Sequence, residues 1–364
     1  MPETHLNRRA ALRAELVERD LDALLVTDLL NIRYLTGFTG SNAALIVAAN
    51  DDANESRTLF CTDGRYLSQA AVQVPDLERI IERNSAVKLL EKAEASGKLG
   101  FESHKVTVDG LDSLSAAAAG ATFTRAPSLV EKLRLIKDDS EIEALRMACA
   151  AADRALADLI GQGGLVAGRT EKEVARDLES RMLDHGAAGP SFETICAFGV
   201  NSAVPHHRPT DAVLATGDFI KLDFGALVDG YHSDMTRTLV LGKAADWQLE
   251  IYELVSAAQA AGRAALVPGT DVKQIDAAAR DVIAAAGYGE RYLHGLGHGV
   301  GLEIHEAPSI GQLGEGRIAE GMAVTVEPGV YLEDKGGVRI EDTLVVRAGE
   351  PELLTLTTKD LVVV

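Results

Sequence analysis

The sequence is poor in the residues that build disulfide scaffolds and thiolate metal sites. Its three cysteines, Cys61, Cys149 and Cys196, lie far apart, and no CxxC pair occurs. This usage fits a reducing compartment and excludes a disulfide framework or a cysteine-based zinc site. Positive charge is also scarce, because 36 Lys and Arg face 55 Asp and Glu and leave a net charge of −19. Such a balance argues against a nucleic-acid partner or an anionic membrane surface.

Targeting and membrane signals are missing as well. The opening segment, MPETHLNRRAALRAELVERDLDALLV, carries scattered charges and lacks the apolar centre and cleavage site of a signal peptide. No apolar run approaches the roughly 20 residues of a membrane span. Since 46% of the residues are apolar, the chain can nevertheless bury a large core. We expect a cytoplasmic protein that binds neither nucleic acid nor membrane.

The chain is long enough, at 364 residues, for two domains. Its first third combines a helical pattern with short apolar runs that we predict as strands, namely ALLVTD, NIRYLTGF, NAALIVAA and RTLFCTDGRYL. A small α/β domain is therefore predicted over residues 1–126. Ser140, with Glu143 three residues later, is typical of a capping box at the start of a long helix. Over residues 127–364, helices segregated from hairpin-connected strands predict an α+β domain.

Two aspartates occur in an otherwise apolar hairpin pattern, FIKLDFGALVDGYHSDMTRTLVL. Asp229-Gly230 is a strong two-residue turn signal. Counting back from that turn places Asp223 opposite Thr236, so Asp234 becomes a diagonal neighbour of Asp223 on the same face. Two carboxylates in one volume require either protonation or a cation between them. Solvated surface aspartates are the alternative.

Two glutamates follow in strand-like segments nearer the C-terminus. Alternation along GGVRIEDTLVV puts Arg339 and Glu341 on one face. Glu327 comes directly after MAVTV, where a strand meets a turn. A surface salt bridge of small energetic value, or a solvated turn, would also explain these positions.

The stretch HGLGHGVGLEIHEAP, residues 294–308, holds three of the nine histidines among four glycines. It contains neither a GxxxxGK[ST] phosphate loop nor an HExxH zinc motif. A single histidine is usually structural, but four carboxylates and one imidazole together would suit two divalent ions such as Mn²⁺, Co²⁺ or Zn²⁺. This candidate set is Asp223, Asp234, His298, Glu327 and Glu341.

The order of these motifs resembles the pita-bread metallopeptidases, and in particular the Xaa-Pro peptidases, aminopeptidase P and prolidase. The segments that carry the resemblance are DFGALVDGYHSDMTRT, HGLGHGVGLEIHEAP, TVEPGVYL and GGVRIEDT. The N-terminal NIRYLTGFTGSNA is similar to the small creatinase-type domain of that family. The resemblance implies a pita-bread catalytic domain after a creatinase-like α/β domain. It also implies two metal ions, with Mn²⁺ as first choice, held by the five residues above.

The family also implies residues that handle the substrate. His305 matches one such histidine, and NSAVPHHRPT offers His206 and His207 for another. The P-H context and the spacing to Asp223 favour His206. Arg339 and Tyr331 match positions that hold the first metal-binding aspartate by hydrogen bonds. The glycines near His298 would let the backbone approach the metals and the substrate.

The implied reaction is removal of the first residue from peptides whose second residue is proline. Two metal ions would activate water, His206 or His305 would stabilise the oxyanion, and Glu327 would carry the proton to the leaving nitrogen. Our main prediction is an Xaa-Pro aminopeptidase. The alternative is an Xaa-Pro dipeptidase, and a remote one is a non-catalytic pita-bread binding module. The resemblance also implies a homodimer.

Overall fold

The computed structural model describes residues 2–93 and 95–364; Met1 and Glu94, which fall within the predicted N-terminal domain, lie outside the described residues. The chain divides into two compact units, Met1–Arg134 and Leu135–Val364. We predicted the second domain from residue 127, so residues 127–134 lie with the first unit. Helix α6, Leu129–Arg134, accounts for this, because Arg134 donates to the Asn31 side chain and Lys132 contacts Glu15.

The first unit is an α/β layer built on one mixed sheet of order β4-β3-β2-β1-β5-β6. Strand β1 pairs antiparallel with β2 and parallel with β5, and β6 extends the sheet parallel to β5. The strands are β1 Ala23–Val26, β2 Ala43–Ala48, β3 Leu59–Thr62, β4 Glu78–Ile81, β5 Gly97–Phe101 and β6 Ala121–Arg125. The other helices are α1 Pro2–Glu18, α2 Leu29–Thr36, α3 Leu67–Gln73, α4 Ser85–Lys92 and α5 Val108–Ala117, with a 3₁₀ turn at Gly64–Tyr66.

One predicted strand of this unit is wrong. The run NIRYLTGF lies mostly in helix α2, whose first turn is capped by the Asp28 carboxylate, which accepts from the N–H groups of Leu30 and Asn31. Gly37, at φ 80°, ends the helix in the left-handed conformation that glycine favours. The short apolar run carries no clear period of its own, and the caps on either side decide its conformation.

The second unit combines two helix pairs with short antiparallel strands, as the α+β prediction requires. Its helices are α7 Asp139–Gly161, α8 Glu171–Asp184, α9 Asp246–Ala264 and α10 Val272–Ala285, with 3₁₀ turns at Gly199–Ala203 and Gly289–Arg291. Its strands are β7 Gly189–Pro190, β8 Ile195–Phe198, β9 Phe219–Phe224, β10 Ala226–Val228, β11 Tyr231–His232, β12 Met235–Val240, β13 Gly297–Gly299, β14 Glu306–Ile310, β15 Ala323–Val326, β16 Gly329–Leu332, β17 Gly336–Arg339, β18 Asp342–Val345 and β19 Glu352–Leu353. The sheet orders are β11-β10-β7, β12-β9-β8, β14-β13-β15-β18-β19 and β16-β17.

Each helix pair of the second unit covers its own set of strands. Helices α7 and α8 pack on β8, β9 and β12 through residues such as Leu156 and Leu222. Helices α9 and α10 pack on β15 and β18 through residues such as Ile275 and Leu344. Each buried aliphatic side chain contributes about 1.5–3 kcal/mol, so these two cores fix the strands firmly. The strand ends between the cores are where the candidate residues lie.

The N-cap of the long helix α7 lies two residues before the predicted one, Ser140. Asp138 is the N-cap, since its carboxylate accepts from the N–H groups of Ser140 and Glu141, and the Glu141 side chain accepts from the Asp138 N–H. The capping box is therefore Asp138 with Glu141, and the predicted pair, Ser140 with Glu143, is wrong. None of the helices in the described residues is long and apolar enough to cross a membrane.

Candidate metal and peptide site

The predicted hairpin is confirmed in register. Val228 lies opposite Tyr231 and Asp223 lies opposite Thr236. Asp229 and Gly230 form the turn with φ values of 46° and 73°, as a primed hairpin turn requires. The ladder is interrupted between the turn and the aspartates, where the Ser233 hydroxyl accepts from the Ala226 N–H. Both Asp223 and Asp234 line the same cavity.

The two glutamates reach that cavity from the ends of neighbouring strands. Glu327 follows β15, and Glu341 lies between β17 and β18. The Glu341 N–H donates to the Thr236 carbonyl at 3.1 Å, and the Thr236 hydroxyl donates to Glu341 Oε2 at 2.7 Å. The predicted common face of Arg339 and Glu341 holds, because both line the cavity although the strand breaks between them.

His298 enters from the short strand β13, whose glycines allow tight strand packing. A Cβ on Gly297 would lie 2.1 Å from the Thr325 carbonyl oxygen, and one on Gly299 would lie 2.1 Å from that of Ala307. We predicted that these glycines bring backbone close to metals and substrate. Gly297 does line the cavity, but the close approach that requires glycine is to the neighbouring chain segments.

All five predicted metal ligands surround one cavity of about 470 Å³, a size typical of small-ligand sites. The His298 Nε2 atom lies 3.3 Å from Glu327 Oε1 and 3.5 Å from Asp234 Oδ2. One possible ligand atom each from Asp234, His298 and Glu341 lies within 4.8 Å of the others. Asp223 Oδ1 is buried and accepts no hydrogen bond. A buried carboxylate oxygen without a donor and several converging carboxylates are the features that a divalent cation satisfies.

The cavity holds more negative than positive side chains, and this excess shifts the pKa values of its carboxyl groups. Burial, together with the negative charge of Asp223, raises the pKa of Asp234 well above its ordinary value. Burial and the charges of Asp234 and Glu327 do the same to the pKa of Glu341. Burial would also raise the pKa of Glu327, but the hydrogen bond and charge of His298 outweigh it and lower that pKa to about 2. The carboxylates therefore repel one another wherever no cation lies among them.

His298 is the main positive partner of these carboxylates. Burial alone would lower its pKa, but the hydrogen bond and charge of Glu327, with the charge of Asp234, raise the pKa to about 9. An imidazole must lose its proton before Nε2 can bind a metal ion. Metal binding at this position must therefore compete with protons.

The other candidate histidines lie differently around the cavity. His206 and His305 both line it, and the ring of His305 stacks edge-on with His298 at 4.4 Å between centroids. His207 also borders the cavity, but its Nε2 is 2.8 Å from Glu171 Oε2. The fully buried Glu171 also accepts a hydrogen bond from Thr210. His207 therefore helps to fix the loop backbone to Glu171. This arrangement supports the choice of His206.

We predicted that Arg339 and Tyr331 both hold Asp223 by hydrogen bonds, and only Arg339 does so. Arg339 Nη2 contacts Asp223 Oδ2, and Arg339 Nη1 donates to the Tyr331 hydroxyl at 2.8 Å. Tyr331 thus holds Arg339 rather than Asp223 itself. Its hydroxyl also lies 2.7 Å from His294 Nε2.

His294 is one of the cavity residues that the sequence analysis did not identify, as are Phe192, Arg208 and Ile304. It lines the cavity, and its Nδ1 lies 2.8 Å from the Gly295 carbonyl oxygen. Burial lowers the pKa of His294, so the ring is neutral near pH 7. Its presence in the glycine-rich stretch was the available signal, but nothing in that pattern separates it from a structural histidine.

Comparisons with known proteins identify the family of the chain and its fold. The family described as "Metallopeptidase family M24" matches residues 143–348, and "Creatinase/Prolidase N-terminal domain" matches residues 8–136. An "Xaa-Pro dipeptidase" of Pyrococcus horikoshii is 36% identical over 95% of this chain and 95% of its own. The structure of an "Xaa-Pro dipeptidase from Bacillus anthracis" has a TM-score of 0.93 and 37% identity over 99% of this chain and 100% of its own. An "X-Pro aminopeptidase from Thermotoga maritima" has a TM-score of 0.87 and 34% identity over 95% of this chain and 99% of its own.

The fold prediction is confirmed by these matches, with a creatinase-type N-terminal domain followed by a pita-bread domain. The relatives named as Xaa-Pro dipeptidases favour our alternative prediction over the aminopeptidase that we placed first. A family of metallopeptidases uses divalent ions, and a candidate site for them is present. The chain belongs to metallopeptidase family M24.

Proposed function

We propose that the chain is an Xaa-Pro dipeptidase, which hydrolyses dipeptides with a C-terminal proline. The observation that carries the proposal is the match, over nearly the whole chain, to relatives and structures named as Xaa-Pro dipeptidases. The five candidate ligands around one cavity fit the dinuclear metal site that such a reaction uses.

The metal ions would be held by a set of oxygen and imidazole donors. That set is Asp223, Asp234, His298, Glu327 and Glu341, all of which border the cavity. Its mixture of four carboxylates and one imidazole suits Mn²⁺, with Co²⁺ or Zn²⁺ as alternatives. When bound, two such ions supply Lewis acidity that polarises a carbonyl and makes water a nucleophile near pH 7.

The side chains of the cavity would orient the reactants and move the proton. Glu327 is ionised at neutral pH because its pKa is low. Its carboxylate would accept a proton from the attacking water and pass it to the proline nitrogen as the C–N bond breaks. His305 and His206 would donate hydrogen bonds to the carbonyl oxygen as negative charge develops there. Arg339 would keep Asp223 oriented through their ion pair.

A dipeptidase must also recognise the free carboxylate of the proline. Arg339 is buried and already contacts Asp223 and Tyr331. Arg208 also lines the cavity, and its exposed side chain lies 3.3 Å from Glu193. We assign the carboxylate to Arg208, since leaving an exposed pair with Glu193 costs little. Phe192 and Ile304, which border the cavity, offer apolar contact for the proline ring.

The second candidate is an Xaa-Pro aminopeptidase, and the Thermotoga maritima structure favours it. An aminopeptidase leaves the far end of the peptide free. The exposed position of Arg208 is compatible with this reading too, because an exposed side chain can move aside for a longer peptide.

The test is turnover of Leu-Pro, Leu-Pro-Ala and Leu-Ala by the Mn²⁺-loaded protein. We expect hydrolysis of Leu-Pro alone. Cleavage of Leu-Pro-Ala at a comparable rate would replace the proposal with the aminopeptidase. Inactivity on all three peptides, with no metal retained, would favour the non-catalytic binding module.

A further inference from the structure

Lys221 is a fully buried lysine that the proposed reaction does not use. It lies in β9, two residues before Asp223, and has 0% exposure. Its Nζ donates to three backbone carbonyl oxygens, at 2.6 Å to Val204, 3.0 Å to Ser202 and 3.4 Å to Pro205. Burying an ammonium group is costly. The three carbonyl acceptors of Lys221 therefore indicate that this lysine has a specific role.

The three acceptors belong to the segment that leads into His206. The 3₁₀ turn Gly199–Ala203 is followed by Val204 and Pro205, whose carbonyls turn inward to Lys221. Arg339 Nη1 donates to the same Pro205 carbonyl at 3.2 Å, and it also contacts Asp223 through Nη2. The backbone before His206 is thus tied to the strand that carries Asp223.

The segment after His206 is tied down separately. His207 and Thr210 both bond to the buried Glu171 carboxylate, at 2.8 Å and 2.6 Å. His206 therefore lies between two anchors, with its own side chain exposed at the cavity. Of the two anchors, Lys221 is the one that sets the backbone directly before the ring.

We propose that Lys221 is the positioning residue for His206: it holds the carbonyls of Ser202, Val204 and Pro205 so that the imidazole faces the reacting carbonyl. The assignment rests on the proposed function, because it explains part of the activity through His206. Geometric precision matters here, since a displacement of about 1 Å at a reacting group can cost roughly 100-fold in rate.

A double-mutant cycle tests this role with Leu-Pro as substrate, or Leu-Pro-Ala if only that peptide is cleaved. We expect Lys221→Met to lower kcat/KM by about 10- to 100-fold. In a His206→Ala background the same change should lower it by less than about twofold, because the group that Lys221 positions is gone. Lys221→Gln, which keeps an N–H donor for a carbonyl, should recover part of the loss. An equal loss in both backgrounds would overturn the proposal.

Two controls separate positioning from damage. Lys137→Met removes another buried lysine, which is paired with Glu306 at 2.8 Å. Any fold-reduction in kcat/KM that this change causes should be the same in the His206→Ala background as in the wild type. The Mn²⁺ content of Lys221→Met should match that of the wild type, since the carboxylates remain. A lowered metal content would mean that Lys221 supports Asp223, and would contradict the proposal.

An activity-independent readout covers the case in which the proposed function itself fails. In spectra of histidine-labelled protein, Lys221→Met should shift or broaden the His206 ring signal. The His185 signal should stay in place, because that ring is paired with Asp158 at 2.8 Å and touches none of these groups. An unchanged His206 signal would refute the positioning role, whereas wild-type inactivity on every Xaa-Pro peptide would refute only the function.

Discussion

Two buried charge clusters, one in each unit, differ in a way that distinguishes structure from function. In the first unit the fully buried Arg9 donates to Glu55 at 3.0 Å and to Asp76 at 2.6 Å, and Arg13 also contacts Glu55. Burial would raise the pKa of Glu55, but these arginines outweigh it and hold the pKa below its ordinary value. In the second unit, Asp234 and Glu341 have pKa values well above their ordinary range.

The difference lies in charge balance. In the first cluster, Glu55 and Asp76 both pair with the guanidinium of Arg9, and Glu55 also contacts Arg13, so each carboxylate has a positive partner. In the second cluster, the two positive partners Arg339 and His298 face four carboxylates, which leaves negative charge uncompensated. An unbalanced buried cluster is stable only with protons or added cations. The contrast is consistent with a structural role for the first cluster and with the second cluster being the candidate metal site.

The largest expected effect is the loss of activity when a ligand is removed. We predict that Asp234→Ala or Glu341→Ala reduces peptide hydrolysis to background while the protein stays folded, because each removes a carboxylate from the proposed metal set. The measurement is turnover in Mn²⁺-supplemented buffer together with circular dichroism. Normal turnover in either variant would sink the assignment of these residues.

The second expected effect separates the two adjacent histidines. His206→Ala should lower kcat by about 100-fold or more, as expected for loss of a group that contacts the reacting carbonyl. His207→Ala should be much milder, because its ring binds Glu171. Steady-state kinetics of both variants decide the point, and a reversed order of rates would show that the wrong histidine was chosen.

The third prediction contrasts the clusters by stability. Glu55→Gln should destabilise the protein by about 1.5–3 kcal/mol, because it replaces one of the two carboxylate partners of buried Arg9 by a neutral amide. Asp234→Asn should instead stabilise the EDTA-treated protein, since it removes a repelled charge. Denaturant unfolding of both variants gives the comparison, and destabilisation by both changes would erase the distinction between the clusters.

The fourth prediction concerns Arg208. Arg208→Gln should raise KM for Leu-Pro by about tenfold, the value of a modest charge-assisted bond. It should leave KM for Leu-Pro amide almost unchanged, because the amide lacks the carboxylate. Equal effects on both substrates would assign the proline carboxylate to another group.

The smallest expected effect is the pH dependence of the stabilisation that Mn²⁺ gives to the folded protein. Raised folded pKa values of Asp234, Glu341 and His298 favour the fold at low pH, and that stability is lost as the pH rises through those values. Stabilisation by Mn²⁺ should therefore grow between pH 5 and pH 9, the upper limit set by His298 at about 9. Melting temperatures with Mn²⁺ and with EDTA would show this, and a constant or shrinking difference would contradict it.

Sequence patterns predicted the parts of this site that depend on local rules. The Asp229-Gly230 turn fixed the register, and so the common cavity of Asp223 and Asp234. Helix α2 was predicted as a strand because a short apolar run has no decisive period. Asp28, its N-cap, is the sequence signal that distinguishes it from a strand. Residue spacing could not show that the Asp223–Asp234 hairpin, β13 and β15 meet at one cavity. That prediction rested on the family resemblance.

Other features depended on tertiary contacts that no local pattern encodes. The contact of Tyr331 with Arg339 and His294, and the carbonyl contacts of Lys221, join segments far apart in the chain. Lys221 in FIKLDF gave no signal beyond a charged residue in an apolar strand. The homodimer, the cytoplasmic location and the identity of the metal stay predictions.

The most direct test of the central claim is the metal content of the protein after Mn²⁺ loading and gel filtration, with Glu341→Ala as the matched control. We expect about two ions per wild-type chain and fewer in the variant, with protons released on binding because His298 must deprotonate. Equal, negligible metal in both proteins would contradict it. The unbalanced carboxylates would then be neutralised by protons alone.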